Sequence, residues 1–296
     1  MTERVLVCIL AKTYAHQLTW PSFKRCLLDE LGADLAVCIG VDSQYDYNNP
    51  YFQHARYRRV IPDPSDYGAE IDKIALALRC RSDWRQLLVL CDNPYAIFLG
   101  GVAGVRGSGA ILLFYRWLLH NFIVEERLCE RYDRFVITRS DFMYACPHPG
   151  VDVLEPGSIW LPDGEDWGGL VDRHMVVSSG DVLASLSALS DLLLNPEQWT
   201  DALRLRDPAY RNSEGVLQIH LTRTGLISRI QRFPYIMFLV RGENDPASWA
   251  PGEFAREFGC YVKYETELLA ARRWRERFRS RADWLAWAGR IRELDR

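Results

Sequence analysis

A short apolar segment that ends on charged residues is the first place where this sequence could do chemistry. Residues 135–137 read as a buried strand, and Arg139 and Asp141 follow at its carboxyl end. Ligands of open α/β sheets bind beyond the carboxyl ends of the strands. An aspartate there can hold Mg²⁺ or Mn²⁺ through its oxygens, while an arginine holds an anionic group. The alternative is an N-cap or a surface ion pair.

A glycine-rich segment is the second candidate. Residues 100–109 read GGVAGVRGSG and include Arg106 and Ser108 just before a predicted apolar helix at 110–128. Glycines allow a ligand to approach the backbone, and a helix N-terminus offers N–H groups and a favourable dipole to phosphate. The segment contains no Gly-Lys-Ser/Thr and no GxGxxG after a strand, so a mobile loop is the alternative.

An acidic segment with an indole is the third candidate. Residues 163–174 read DGEDWGGLVDRH. The Trp167 plane can pack against a sugar ring, Gly168 gives the loop freedom, and carboxylates accept hydrogen bonds from hydroxyls. One of the carboxylates, Asp166 or Asp172 among them, could deprotonate a hydroxyl nucleophile. An acidic surface turn is the alternative.

Two further residues have both a chemical and a structural interpretation. His174 begins the apolar run MVV and is either a ligand or a packed structural histidine. Glu214 begins the predicted helix SEGVLQIHL, where its carboxylate caps the helix or takes a catalytic role.

The elements that must position these residues follow from hydrophobic patterning. Val5–Ala11 and Asp34–Val41 read as buried strands, and the apolar spacing of 17–31 predicts a helix between them. A strand–helix–strand opening favours a parallel sheet with right-handed crossovers. Residues 43–64 read as a loop. Helices are also predicted at 67–80, 181–194 and 213–224, strands at 158–161 and 233–240, and a strand or helix end at 87–90.

Composition narrows the class of protein. The formal net charge of −3 argues against bulk nucleic-acid binding. Eight cysteines without a CxxC pair indicate free thiols in a reducing compartment. The sequence shows neither a signal peptide nor a run of about 18 apolar residues, so we expect a cytoplasmic protein.

One domain at 1–262 and a basic helical extension at 263–296 are the simplest division of the chain. The extension carries RRWRERFRSR and further tryptophans. A basic amphipathic helix can lie on an anionic membrane, so a peripheral membrane contact through the extension is one expectation. The alternative is a surface helix docked by its aromatic side.

Taken in order, these segments resemble GT-A-type glycosyltransferase-like proteins, found in bacterial surface-polysaccharide clusters and some large viruses. The resemblance covers roughly residues 5–240 and rests on YDRFVITRSD, WLPDGEDWGGLVDRHMVVSS and NSEGVLQIHL. It implies an α/β fold, GT-A-like, with a mostly parallel central sheet flanked by helices and a C-terminal helical extension. It also implies sugar transfer from a nucleoside-diphosphate sugar to a hydroxyl of a glycan or lipid-linked glycan.

The resemblance also implies a divalent cation. In such enzymes an acidic motif at a strand end binds Mn²⁺ or Mg²⁺, which bridges the two phosphates of the donor. Asp141 would be the surviving metal ligand, with His174 as a further ligand, and Arg139 stands where the first acid is usual. The implied nucleotide-sugar contacts are Arg106, Ser108, Arg139, Asp141, Trp167 and Gly168.

The stereochemical course decides whether a base is needed. Inversion requires a carboxylate that activates the acceptor hydroxyl, and the candidates are Asp166 first, then Asp172 and Glu214. Retention requires none. Two other functions compete: a non-catalytic carbohydrate-binding or scaffold protein, and a sugar-nucleotide nucleotidyltransferase. The latter normally shows glycines after the first strand, where this chain has Lys12, Thr13 and Tyr14.

Overall fold

Two β-sheets and the helices around them make up the fold. The computed structural model describes residues 3–242 and 252–294. Residues 243–251 of the predicted domain and 295–296 of the predicted extension lie outside the described residues. The strands are β1 (Val5–Ala11), β2 (Asp34–Val41), β3 (Tyr57–Pro62), β4 (Arg134–Thr138), β5 (Phe142–Tyr144), β6 (Ile159–Asp163), β7 (Met175–Ser178), β8 (Ile230–Pro234), β9 (Met237–Arg241), β10 (Glu253–Ala255) and β11 (Cys260–Val262).

The helices differ widely in length. The α-helices are α1 (His16–Phe23), α2 (Pro50–His54), α3 (Tyr67–Ala77), α4 (Gly109–Glu125), α5 (Val182–Leu186), α6 (Ala188–Leu194), α7 (Pro196–Arg204), α8 (Ser213–Arg223), α9 (Glu265–Arg275) and α10 (Arg281–Leu294). A π-helical segment, Lys24–Asp29, continues α1, and 3₁₀ turns lie at Trp84–Leu90, Leu128–Glu130, Pro208–Tyr210 and Ile227–Arg229.

The central sheet has seven strands in the order β3-β2-β1-β4-β7-β6-β8. Strand β1 pairs in parallel with β2 and β4, and β7 is antiparallel to both β4 and β6. The apolar runs of β1 and β4 are buried because helices such as α4 cover the sheet. The expected fold class, an α/β fold with a mostly parallel central sheet flanked by helices, is confirmed.

Several predicted elements differ in detail. The predicted loop at 43–64 contains α2 and the edge strand β3, where Arg58 and Arg59 replace the apolar run of a central strand. The predicted strand at 233–240 is divided, because the chain leaves β8 at Pro234 and starts β9 in the other sheet at Met237. Residues 87–90 belong to a 3₁₀ turn, and 181–194 form two short helices.

The second sheet brings distant segments beside the end of β4. Its strand order is β10-β11-β9-β5. Residues 139–141, here called the junction segment, connect β4 of the central sheet to β5 of the second sheet. The Val240 N–H donates to the Asp141 carbonyl at 3.0 Å, so the last residues of β9 lie against the junction segment.

The aromatic side of the C-terminal extension is docked against the domain. Trp284 and Phe278 are buried and stack at 3.7 Å, and the Trp284 indole donates to the Pro147 carbonyl at 2.9 Å. This is the docked arrangement that was the alternative to a membrane-facing helix. In the described parts of the chain, no helix combines the length and apolarity that a membrane crossing requires.

Candidate functional site

A cavity of about 290 Å³ opens where β4, the acidic loop 163–174 and the second sheet meet. It collects charged groups of both signs from four separate parts of the chain. Two helix N-termini also reach it, those of α4 and α8. The lining residues are Tyr95, Ile97, Ser108, Leu112, Arg139, Trp167, Asp172, Arg173, Ala209, Asn212, Ser213, Glu214, Leu239, Lys263 and Tyr264.

The junction segment places Asp141 between two guanidinium groups. Arg139 donates from Nε to Oδ1 and from Nη2 to Oδ2, both at 2.8 Å, and Arg241 donates from Nη1 to Oδ2. Asp141 is only 3% exposed. Burial alone would raise the pKa of Asp141, but the charges of Arg139 and Arg241 outweigh it and hold that pKa well below its usual value.

This arrangement does not fit a divalent cation at Asp141. Such cations need oxygen ligands, commonly from one or two carboxylates, and both oxygens of Asp141 already accept hydrogen bonds from arginine. Among the described residues, no group of three or more His, Cys, Asp or Glu side chains could hold a metal ion.

His174 lies in a buried histidine pair. Its Nε2 is 3.1 Å from Nε2 of His148, and its Nδ1 is 3.0 Å from the Thr138 hydroxyl. His148 Nδ1 lies 2.8 Å from the Pro149 carbonyl, so that nitrogen carries the hydrogen. His174 then donates from Nε2 to His148. Burial lowers the pKa of His148 to about 4, and burial together with His148 lowers that of His174 further below its usual value. Both ring nitrogens of His174 thus have hydrogen-bond partners inside the protein.

Acid is expected to destabilise the protein through this pair. A histidine whose pKa is depressed in the folded state contributes stability that is present above about pH 6.5 and lost as the pH falls toward 4. For His148 alone, the free energy of unfolding should fall by about 3 kcal/mol between pH 7 and pH 4. Denaturant unfolding across this range measures it. His148→Asn should reduce the slope, and the exposed His54→Gln should not; identical slopes in all three proteins would contradict the assignment.

Two carboxylates are buried at one wall of the cavity. The Asp172 side chain is 4% exposed, and its Oδ2 has no hydrogen-bond partner among the described residues. The closest cation is Arg116, whose Nη2 is 4.0 Å from that oxygen. Burial, reinforced by the charge of Asp172, raises the pKa of Glu214 to about 8. At neutral pH Glu214 is therefore mostly protonated.

Arg173 closes the wall behind these carboxylates. Its Nη2 lies 3.7 Å from Glu214 Oε1, and its Nη1 lies 2.6 Å from Glu267 Oε1. Glu267 belongs to α9 and also accepts from the Tyr235 hydroxyl and the Leu239 N–H, at 3.0 and 2.7 Å. The guanidinium of Arg173 is 4.8 Å from the ring centre of Tyr264. These contacts fix Arg173 and attach α9 to the site.

Lys263 was missed by the sequence reasoning. It follows β11, lines the cavity and is half-buried. Burial, and then the charges of Arg139, Arg241 and Arg173, lower its pKa to about 8. Within residues 3–242 and 252–294, its ammonium group forms no hydrogen bond or ion pair and contacts only the Tyr264 ring, at 5.2 Å. Lys263 reaches the site because β11 pairs with β9. This long-range pairing leaves no signal in the sequence around Lys263.

Some residues of the acidic loop line the cavity, and others allow the loop to pack against α8. Trp167 lines the cavity and is 51% exposed, so its ring offers an accessible plane. Gly168 has φ +78°, and a Cβ there would meet the Tyr210 ring at 2.3 Å. A Cβ on Gly169 would meet the backbone of Glu214 at 2.2 Å. The two glycines therefore allow the loop to pack against the start of α8 and so position Glu214.

Asp166 and Arg106 are not among the described lining residues. The Oδ1 of Asp166 accepts from the Val171 N–H at 2.8 Å, and its Oδ2 accepts from Arg232 at 2.9 Å. Asp166 thus shapes the loop and attaches it to β8. Arg106 is exposed on the glycine-rich segment, whereas Ser108 from the same segment does line the cavity. Their predicted roles, base for Asp166 and donor contact for Arg106, stay predictions.

Comparisons with known proteins provide little beyond this geometry. No protein-family model matches the chain, and no curated protein matches it. Among solved structures, the apo form of mouse xyloside xylosyltransferase 1 is similar, with 12% sequence identity and a TM-score of 0.40. The similarity covers 78% of this chain and 85% of that one. Function is therefore inferred from the side chains that line the cavity.

Proposed function

We propose that this protein transfers a sugar from a nucleoside-diphosphate sugar to a hydroxyl of a glycan or lipid-linked glycan. One observation carries the proposal: the same cavity has basic side chains, Arg139 and Lys263, and two buried carboxylates, Asp172 and Glu214. Sugar transfer needs both kinds of group, because one end of the reacting bond becomes an anion and the acceptor hydroxyl loses a proton.

The reaction requires few groups from the protein. The bond between the anomeric carbon and the diphosphate oxygen breaks, and a bond from that carbon to the acceptor oxygen forms. The diphosphate leaves with the electron pair, and positive groups stabilise its developing charge. The proton of the acceptor hydroxyl moves to a carboxylate. Trp167 offers a plane for the apolar face of a sugar ring.

Asp172 is the better base of the buried pair. Its Oδ2 is buried at the cavity wall and has no hydrogen-bond partner in the described parts of the chain, so this oxygen keeps its capacity to accept a hydrogen bond from a substrate hydroxyl. Glu214, with its pKa raised to about 8, stays mostly protonated at neutral pH and can donate a hydrogen bond. This division of roles supports inversion at the anomeric carbon, and it is the reason to propose Asp172 as the base in preference to Asp166.

A non-catalytic carbohydrate-binding protein is the second candidate. The observation that favours it is the engagement of Asp141 with two arginines, where the resembling enzymes use an open acidic metal site. Such a protein would still use Trp167 and the polar groups of the cavity to bind a glycan. It would neither bind nor consume a nucleotide-sugar.

A panel of nucleotide-sugars tests the two candidates. The purified protein is incubated with donors that differ in sugar and base, and release of nucleoside diphosphate is followed with and without simple glycosides as acceptors. We expect at least one donor to be hydrolysed slowly and to be consumed faster when an acceptor is present. Glycan binding without binding or hydrolysis of any donor would establish the non-catalytic alternative.

A further inference from the structure

We propose that Lys263 and Arg139 hold the diphosphate of the donor in the place that a divalent cation would otherwise take. This inference rests on the nucleotide-sugar function proposed above and adds the way in which the anion is bound. It starts from the disagreement between the expected metal ligand, Asp141, and the contacts that this carboxylate makes.

Two arginines of the protein already neutralise the charge of Asp141. Arg241 is 5% exposed and donates to Oδ2, while Arg139 forms a two-point contact with both oxygens. A cation binding at Asp141 would have to displace at least one of these guanidinium groups. Leaving a guanidinium buried without its carboxylate costs several kcal/mol. The carboxylate therefore acts as an anchor for arginine rather than as a metal ligand.

The surroundings of Asp141 have an excess of positive charge. Arg139, Arg241 and Lys263 together carry three positive charges, against the carboxylate of Asp141 and that of Asp172, whose charge also acts on Arg139. Arg173 lies close enough to lower the pKa of Lys263, although its own charge is paired with Glu267. A divalent cation would increase this excess, whereas a diphosphate would neutralise it. Arg139 keeps 31% of its side chain exposed and lines the cavity, so a ligand can reach it.

Lys263 is the cation with the least compensation. The contacts of its ammonium group in the described structure are limited to the Tyr264 ring. Its backbone is fixed, because its N–H donates to the Leu239 carbonyl at 2.9 Å. Burial, and then the neighbouring positive charges, lower the pKa of Lys263 to about 8 and so disfavour its charged form. A bound phosphate would remove this penalty, and ammonium groups are effective point charges for phosphate.

The start of α4 supplies further groups for an anion. Ser108 lines the cavity at the N-cap of this helix, which runs for 17 residues. The first N–H groups of a helix have no partner within it and carry partial positive charge, although the Ala110 N–H of α4 already donates to the Gly100 carbonyl at 2.9 Å. The cavity therefore combines charged side chains with the partial positive charge at the start of α4, and both favour phosphate.

Calorimetric titration with the full chain tests the inference. The probes are UDP, GDP, ADP, CDP and inorganic pyrophosphate, each in excess chelator and again with Mg²⁺ or Mn²⁺. We expect the preferred nucleoside diphosphate to bind equally well in chelator. Lys263→Met should weaken this binding by about 10- to 100-fold, as loss of a charged hydrogen bond predicts. Lys263→Arg should keep most of the affinity, and the exposed Lys73→Met is the control expected to match the wild type.

The outcomes separate this inference from the proposed function. Binding that disappears in chelator, or that is the same in wild type and Lys263→Met, would overturn the inference, and donor turnover with metal would still support the transferase. Pyrophosphate binding that depends on Lys263, without binding of any nucleoside diphosphate, would support the anion site and contradict the nucleotide-sugar function. Absence of binding by every probe would overturn the inference. Thermal unfolding confirms that each variant is folded.

Discussion

Replacing Asp141 with alanine is expected to lower the free energy of unfolding by about 3–5 kcal/mol, as removal of one partner from a buried ion pair does. The variant would leave Arg241 buried without its carboxylate and Arg139 without its two-point contact. Asp141 also keeps its charge to unusually low pH, so the lost interaction is present across the whole neutral range. Denaturant unfolding measures the difference.

A double-mutant comparison shows whether the loss comes from unpaired charge. Asp141→Ala combined with Arg241→Met should be less destabilised than the sum of the two single variants, because no buried guanidinium is then left without a partner at that position. Asp29→Ala breaks the exposed pair with Lys24 and should cost no more than about 1 kcal/mol. If Asp141→Ala were as stable as Asp29→Ala, the buried network described here would be wrong.

Replacing Asp172 with asparagine is expected to reduce sugar transfer by about 10²- to 10⁴-fold, the usual contribution of a general base. The protein should keep its fold, because Oδ2 has no hydrogen bond to lose in the described structure and Arg116 still donates to the Asp172 backbone carbonyl. Donor binding should change little, since the basic groups of the cavity remain. Initial rates with a saturating donor and acceptor measure the effect.

Asp166→Asn is the matched control for Asp172→Asn. Asp166 contacts Arg232 and the Val171 N–H instead of lining the cavity, so its amide variant should retain most of the transfer activity. A second readout comes from Glu214. Removal of the Asp172 charge should lower the pKa of Glu214 and shift the pH dependence of the residual rate to lower pH. A large loss in Asp166→Asn with an active Asp172→Asn would reverse the assignment.

The elements of the central sheet were predictable because their signals are local. Val5–Ala11 and Asp34–Val41 are continuous apolar runs, and the structure has strands with these bounds. Edge strand β3 was missed because only one side of it needs apolar residues. The division of 233–240 between two sheets depends on which partners the strands find, and a strand pattern contains no information about its partner.

Only the site residues that belong to a local sequence motif could be predicted. Arg139, Ser108, Trp167, Asp172 and Glu214 were candidates from local motifs, and all five line the cavity. The sequence could not rank the carboxylates as bases, because the contacts of Asp166 and the buried, unpartnered Oδ2 of Asp172 depend on how the loop packs. Lys263 and Arg241 reach the site through pairing in the second sheet, and neither has a motif around it.

The position of Lys263 and Glu267 in the chain has a consequence for biosynthesis. Both residues follow every strand of the seven-stranded sheet in the sequence and are therefore synthesised later. Chains also begin to fold from the N-terminal side as they emerge from the ribosome. A nascent chain could therefore complete the central sheet while its cavity still lacked the ammonium group and the carboxylate that holds Arg173. Under the function proposed above, such an incomplete chain would bind the donor more weakly than the complete protein.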